Sequence, residues 1–199
     1  MYTVKYSGPF GFIKPWTAVR DTETFSQQFL TPSIIEGIEK KLFPELVEIK
    51  RLAGKIMRHR LSYSGISRQQ EQTQPKAITE KKDGTISRGR SILLRGVMTD
   101  PVLWLAFGGR SDAETASNQH ICLCRNEDIL LPDANISEVS QEEFDTPFDG
   151  SERADFDGFE LIFEKTSESF IVGYNRYDNA APMYGRLHIV GNPIREVKS

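Results

Sequence analysis

Two cysteines among 199 residues, Cys122 and Cys124, stand one residue apart. With no partner elsewhere in the chain they exclude a disulfide framework. No apolar run approaches the roughly 18 residues that a membrane helix needs. The opening MYTVKYSGPF alternates polar with apolar residues, unlike the charged stretch and apolar run of a secretory signal. Neither a G-x-x-x-x-G-K nor a G-x-G-x-x-G segment occurs, which leaves nucleotide hydrolysis and dinucleotide binding without a motif. No internal repeat or low-complexity tract is visible. Charge of one sign is also missing: 25 Lys and Arg against 28 Asp and Glu give a net charge of −3. A total so near neutrality neither selects nor excludes a polyanionic partner, because position decides that. What remains is an ordinary globular composition, 38% hydrophobic, expected to be one cytoplasmic domain over residues 1–199 with no membrane partner.

Residues 2–6, YTVKY, alternate so that Tyr2, Val4 and Tyr6 share one face of a strand, ended by Gly8 and Pro9. A polar crossing leads to Thr31, the expected N-cap, and to Pro32 at the first helical position, where a missing N–H costs nothing. Ile34, Ile35, Ile38 and Leu42 then form an apolar stripe, with Glu36, Glu39, Lys40 and Lys41 on the other side and Pro44 as the stop. ELVEIKRLA reads as a strand, and KIMRHRLSYSG as another. Residues 65–90 turn polar around a Lys-Lys-Asp-Gly signal and predict a protruding hairpin or loop. Apolar strands resume at Leu93–Val97 and Val102–Phe107, broken by Asp100 and Pro101. The remainder is acidic and strand-rich, in HICLC, FELIFEK, SFIVGYN and GRLHIVG, with short helices possible only in SDAETASNQH and SEVSQEEF.

Charge sharpens this map. Between Gly54 and Val97 ten Lys and Arg face three acids, a local balance of +7, whereas between Ser111 and Phe170 sixteen acids face three bases, a balance of −13. A basic stripe carrying Tyr63 and Gln and Ser donors can follow a phosphate backbone, hold sugars and stack guanidinium planes on bases. The plainer reading is a solvated hairpin.

Other constellations are weaker. His120, Cys122 and Cys124 would share one face of a strand as soft ligands, but three ligands without a distant fourth make a poor metal site, and free cysteines in a core strand are commoner. Asp155–Glu160, DFDGFE, has a passing likeness to a calcium loop but lacks the third acidic position and the distal glutamate. His59 lies beside Arg58, Arg60 and Tyr63, where it could take the proton of a ribose 2′-hydroxyl and cleave RNA without metal. The alternative is a histidine that only contacts RNA.

The N-terminal strand ending in SGPFGFIKP, the helix start LTPSIIEGIEKKLF and the Arg-rich KIMRHRLSYSGISRQQ together resemble the Cas-five family of CRISPR-associated proteins, most closely its type I-C branch. The match runs from Met1 to about Gln70, weakens around LLRGVM and HICLCRNE, and fades over the acidic end. The resemblance implies an α+β, ferredoxin-like (RRM-like) β-α-β-β core, with residues 54–92 as a basic strand and thumb-like insertion and a strand-rich C-terminal part. It implies a subunit that caps the 5′ handle of a guide RNA in a Cascade-like effector complex, beside a Cas-seven-type backbone subunit and a large subunit, without cofactor or metal. The residues expected at phosphates are Arg58, Arg60, Arg68, Arg88 and Arg90; Tyr63 and Gln69 are expected at bases or riboses, and Lys14, Trp16 and Arg20 at the handle or a subunit junction. The type I-C branch processes precursor RNA with a helix-end tyrosine and a lysine-histidine pair. Phe43 stands at the tyrosine position here, and His120 has no adjacent lysine, so a binding subunit is expected. The alternative is a metal-independent endoribonuclease using His59 or His120.

Overall fold

The computed structural model describes residues 1–15, 23–49, 54–73, 78–88, 91–150 and 154–195. Its strands are β1 (Tyr2–Ser7), β2 (Phe10–Gly11), β3 (Glu23–Phe25), β4 (Ile56–Ser62), β5 (Gly65–Thr73), β6 (Ile78–Glu80), β7 (Ile86–Arg88), β8 (Ser91–Thr99), β9 (Val102–Phe107), β10 (Ile121–Cys122), β11 (Ile129–Glu138), β12 (Gly158–Ile162), β13 (Phe170–Asn175) and β14 (Ala181–Val190). The α-helices are α1 (Pro32–Leu42), α2 (Arg110–Ser117) and α3 (Gln141–Asp145). None is long and apolar enough to cross a membrane among the described residues.

The main sheet has the order β10-β11-β1-β9-β4-β12-β14-β13. Within it β1, α1, β4, β9, α2 and β11 follow in chain order, and the spatial order β11-β1-β9-β4 with antiparallel neighbours is that of a ferredoxin-like sheet. The expected α+β core is therefore present. Alternation sorts its two faces. Leu103, Leu105 and Phe107 of β9 pack with Val4, Tyr6 and Leu61 under α1 and α2, and the Tyr6 hydroxyl donates to the Ala116 carbonyl at 2.7 Å. Val102 and Trp104 point the other way, into a second cluster with Val139, Phe144 and Phe156. Both faces of the central strands are thus covered, which is why even Thr3 has no exposed surface.

Helix α1 begins where expected, with Pro32 at its first position. Thr31 caps it through its carbonyl, which accepts from the amides of Ile34 and Ile35, and not through its side chain. Glu36 and Glu39, expected on the solvent side, are 4% and 0% exposed. Glu36 is held by Lys40, Tyr177 and Arg176 at 2.6–2.7 Å. Glu39 accepts the Ile56 amide at 2.6 Å and so fixes the start of β4; burial pushes its carboxyl up.

ELVEIKRLA is not a strand over its described part. Pro44–Leu46 form a 3-10 turn, with Val47 donating to Pro44 and Ile49 to Leu46, and residues 50–53 lie outside the described residues. HICLC contributes only the short β10.

The insertion between β4 and β9 builds a second sheet. β5 pairs with β8 along their full lengths, from Gly65 opposite Thr99 to Thr73 opposite Ser91. The free edge of β8 takes β2 antiparallel at Met98 and Thr99 and β3 parallel at Leu94–Gly96. β6 and β7 form a hairpin whose turn is closed by the Lys81 amide on the Thr85 carbonyl, with Gly84 at φ +79, a conformation that favours glycine.

Candidate nucleic-acid interface

The parallel pairing of β3 and the antiparallel pairing of β5 place Phe25, Gly96 and Arg68 in one row across the second sheet. A Cβ at Gly96 would collide with the Phe25 ring, so glycine lets the ring lie against the β8 backbone. Phe25 remains 46% exposed. The Arg68 guanidinium reaches across from β5 to 5.8 Å from the Phe25 ring centroid, and Nη2 lies 3.4 Å from Glu23 Oε1. Its side chain is 69% exposed, and so open an ion pair is weak and readily exchanged for another anion. An exposed aromatic face beside an exposed guanidinium is a stacking platform with a phosphate donor.

The neighbouring row, Thr24, Arg95 and Gln69, presents its side chains to the opposite face. There Arg95 and Arg125 lie 5.9 and 5.4 Å from the ring centroid of buried Phe12. Glu71 lies 3.2 Å from Arg95, and Asp128 accepts from Arg125 at 2.6–2.7 Å. That face is internally neutralised. Gln69 therefore faces away from Arg68. Lys14 is exposed just after Ile13, whose amide donates to Ser26 Oγ and whose carbonyl accepts from Gln27, two residues beyond Phe25. At the hairpin tip Lys81 and Lys82 are exposed.

Arg58 and Arg60 do not join this surface. They project from β4 onto the second face of the main sheet, where Arg58 donates to both oxygens of Glu160 at 2.6 Å and to Asp145, and Arg60 donates to Asp145 at 2.9 Å and Glu160 at 3.1 Å. Both guanidiniums stack near Phe144, at 5.3 and 4.7 Å. Arg60 has no exposed side-chain surface, and its Nε and Nη1 lack hydrogen-bond partners. Burial would raise the carboxyls of Glu160 and Asp145, but the paired guanidiniums hold both below their usual range. The expectation that these arginines grip phosphate is corrected: the acidic segment carrying α3 already occupies them.

Tyr63 is likewise in the core, 1% exposed, with its ring stacked on Phe159 at 6.3 Å and its backbone bonded to Pro193 and Arg195. It presents no face to a base. Trp16, Arg20 and Arg90 lie outside the described residues. Arg88 ends β7 opposite Ile78, at the end of the hairpin away from its turn.

His59, the first candidate base, is 4% exposed, and its Nε2 accepts the Leu161 amide at 3.4 Å. Burial pushes its pKa down to about 4, so the ring is neutral and enclosed near neutral pH. His120 is exposed just after α2. Cys122 lies on β10, whereas Cys124 lies beyond it and is exposed; among the described residues no group of three or more His, Cys, Asp or Glu could hold a metal ion. The DFDGFE segment is a turn into β12, in which Asp157 accepts the amides of Phe148 and Asn192 and Glu160 is spent on Arg58.

The aromatic and acidic halves of both arrangements were missed from sequence. Phe25 stands in a polar crossing, and only the register to Gly96 reveals its role. Asp145 and Glu160 are distant in sequence from the arginines they neutralise.

No family model matches the chain, and no curated protein matches its sequence. Among solved structures, a chain described as "CRISPR RNA-guided surveillance complex" matches 95% of this chain and 89% of its own length, with 10% identity and a TM-score of 0.51. A chain of the type III-B Cmr-beta complex bound to cognate target RNA and AMPPnP matches 94% of this chain and 84% of its own, with 8% identity and a TM-score of 0.48, too low to carry weight. At such identities the likeness is one of fold.

Proposed function

We propose that this protein is an RNA-binding subunit of a CRISPR effector complex, similar in role to the Cas-five family, and that it holds the 5′ handle of the guide RNA. The observation that carries the reading is the row Phe25–Gly96–Arg68 on the inserted sheet. It supplies what single-stranded RNA needs without reading sequence: one aromatic face for a base and one exposed cation for a phosphate. Lys14 near the row and the exposed lysines at the hairpin turn add further positive charge. The fold shared with a chain of an RNA-guided surveillance complex supports the same setting, with a Cas-seven-type backbone subunit and a large subunit as partners. The work is binding, with the acidic C-terminal part keeping RNA to the other side of the molecule.

Incubating the full chain with end-labelled CRISPR repeat RNA in the presence of chelator tests this. A retarded band containing intact RNA is expected. Specific cleavage abolished by His120→Ala would replace binding with the endoribonuclease reading.

A further inference from the structure

On the second face of the main sheet, beyond the arginine–carboxylate network, lies a cleft of about 210 Å³. Its floor is Trp104 of β9, whose Nε1 donates to the Asp155 carbonyl at 2.8 Å and whose cross-strand neighbour on β1 is Lys5. Lys5 Nζ stands 5.8 Å from the indole and makes no hydrogen bond or ion pair among the described residues. Arg195 forms another wall. One of its Nη atoms donates to the Asp100 carbonyl, while its buried Nε has no partner. Asp133, Asp155 and Ser62 complete the polar lining. Asp133 and Asp155 each spend one carboxylate oxygen on a backbone amide two residues ahead, Asn135 and Asp157.

Two underused cations and two partly used carboxylates ask for a ligand with both an anionic end and hydroxyl donors. Arg195 already feels the charges of Asp155 and Asp100, but Lys5 Nζ and Arg195 Nε have no hydrogen-bond acceptor among the described residues. Phosphate alone would be repelled by the carboxylates, and a neutral sugar would answer these two donors only weakly. A ribose phosphate answers both sets. We propose that this cleft holds one ribose-phosphate unit of single-stranded RNA, with Lys5 and Arg195 at the phosphate and Asp133 and Asp155 at the ribose hydroxyls. The inference rests on the RNA-binding reading but uses none of the residues that carry it.

The test uses the full chain with Trp16→Phe, so that Trp104 is its single tryptophan, titrated with UMP and with dUMP. UMP is expected to change the Trp104 emission saturably at millimolar concentration. dUMP should bind several-fold more weakly, and Lys5→Gln and Arg195→Gln should each weaken UMP by about tenfold, the loss of one charge-assisted contact. Circular dichroism checks that each variant folds; should Lys5→Gln not fold, Arg195→Gln and the parent titration decide. An emission unmoved by UMP, or moved equally in the Arg195 variant, overturns the proposal. If RNA binding that depends on Arg68 persists meanwhile, the cleft assignment alone has failed; if RNA binding is also absent, the function has failed with it.

Discussion

Arg60 and Arg68 read alike in the sequence, two arginines of one basic stretch, and the structure gives them opposite tasks. Arg60 is a buried counter-ion to Asp145 and Glu160. Removing one partner of such a group strands charge in the interior and costs about 3–5 kcal/mol. Arg60→Ala is therefore expected to lower the melting temperature strongly, while RNA affinity per folded molecule stays unchanged; a large affinity loss without a stability loss would contradict this. Arg68 is expected to do the reverse. His59 adds a pH signature. Its folded pKa, about 4, lies below the ordinary value near 6.5. The unfolded chain thus takes up a proton that the folded chain refuses, so stability is full above pH ~6.5 and declines by up to about 1.4 kcal/mol per pH unit as pH falls toward 4. Thermal melts across that window should show the decline, and His59→Phe should flatten it.

Among the elements, the inserted sheet is where position and chemistry meet. Its strand β8, the hairpin turn at Lys81–Gly84, and the breaks at Gly8–Pro9 and Asp100–Pro101 were legible because apolar runs, glycine and proline act locally, whereas β5 was expected only as part of a polar hairpin or loop. β3 was not, since three residues of a polar crossing become a strand only by pairing with β8. The α3 segment was read as a possible short helix but not as the cover of the arginines, because its partners on β4 and β12 come together only by tertiary folding. The same logic yields a test of the β3–β8–β5 row. Gly96→Val places a branched side chain where the Phe25 ring lies. It should cost RNA affinity as Phe25→Ala does, about 1–3 kcal/mol for a lost stacking contact, by equilibrium binding of an unstructured repeat RNA. Wild-type affinity in a folded Gly96→Val protein would remove Phe25 from the interface.

For the molecule as a whole, the sequence showed a basic middle and an acidic end, and the structure uses part of each to neutralise the other. Arg58 and Arg60 meet Asp145 and Glu160, and Lys55 meets Asp112 at 2.7 Å. Among the described residues the positive surplus is accordingly smaller than the count suggested, and the proposed RNA contact draws on Arg68, Lys14 and the hairpin lysines. A ferredoxin-like core was expected from the family resemblance carried by the helix start and its flanking strands, whereas the edge strand β11 and the extension through β12, β14 and β13 were not, because short acidic strands carry no signal for the edge they join. The central claim, that the inserted sheet and not the β4 arginines grips RNA, is tested most directly by fluorescence anisotropy of a labelled handle RNA across a salt series. Parent protein and Arg60→Ala should give the same slope of log affinity against log salt, and Arg68→Ala a slope shallower by about one ion with weaker binding throughout. A slope unaltered by Arg68→Ala but flattened by Arg60→Ala would contradict the account.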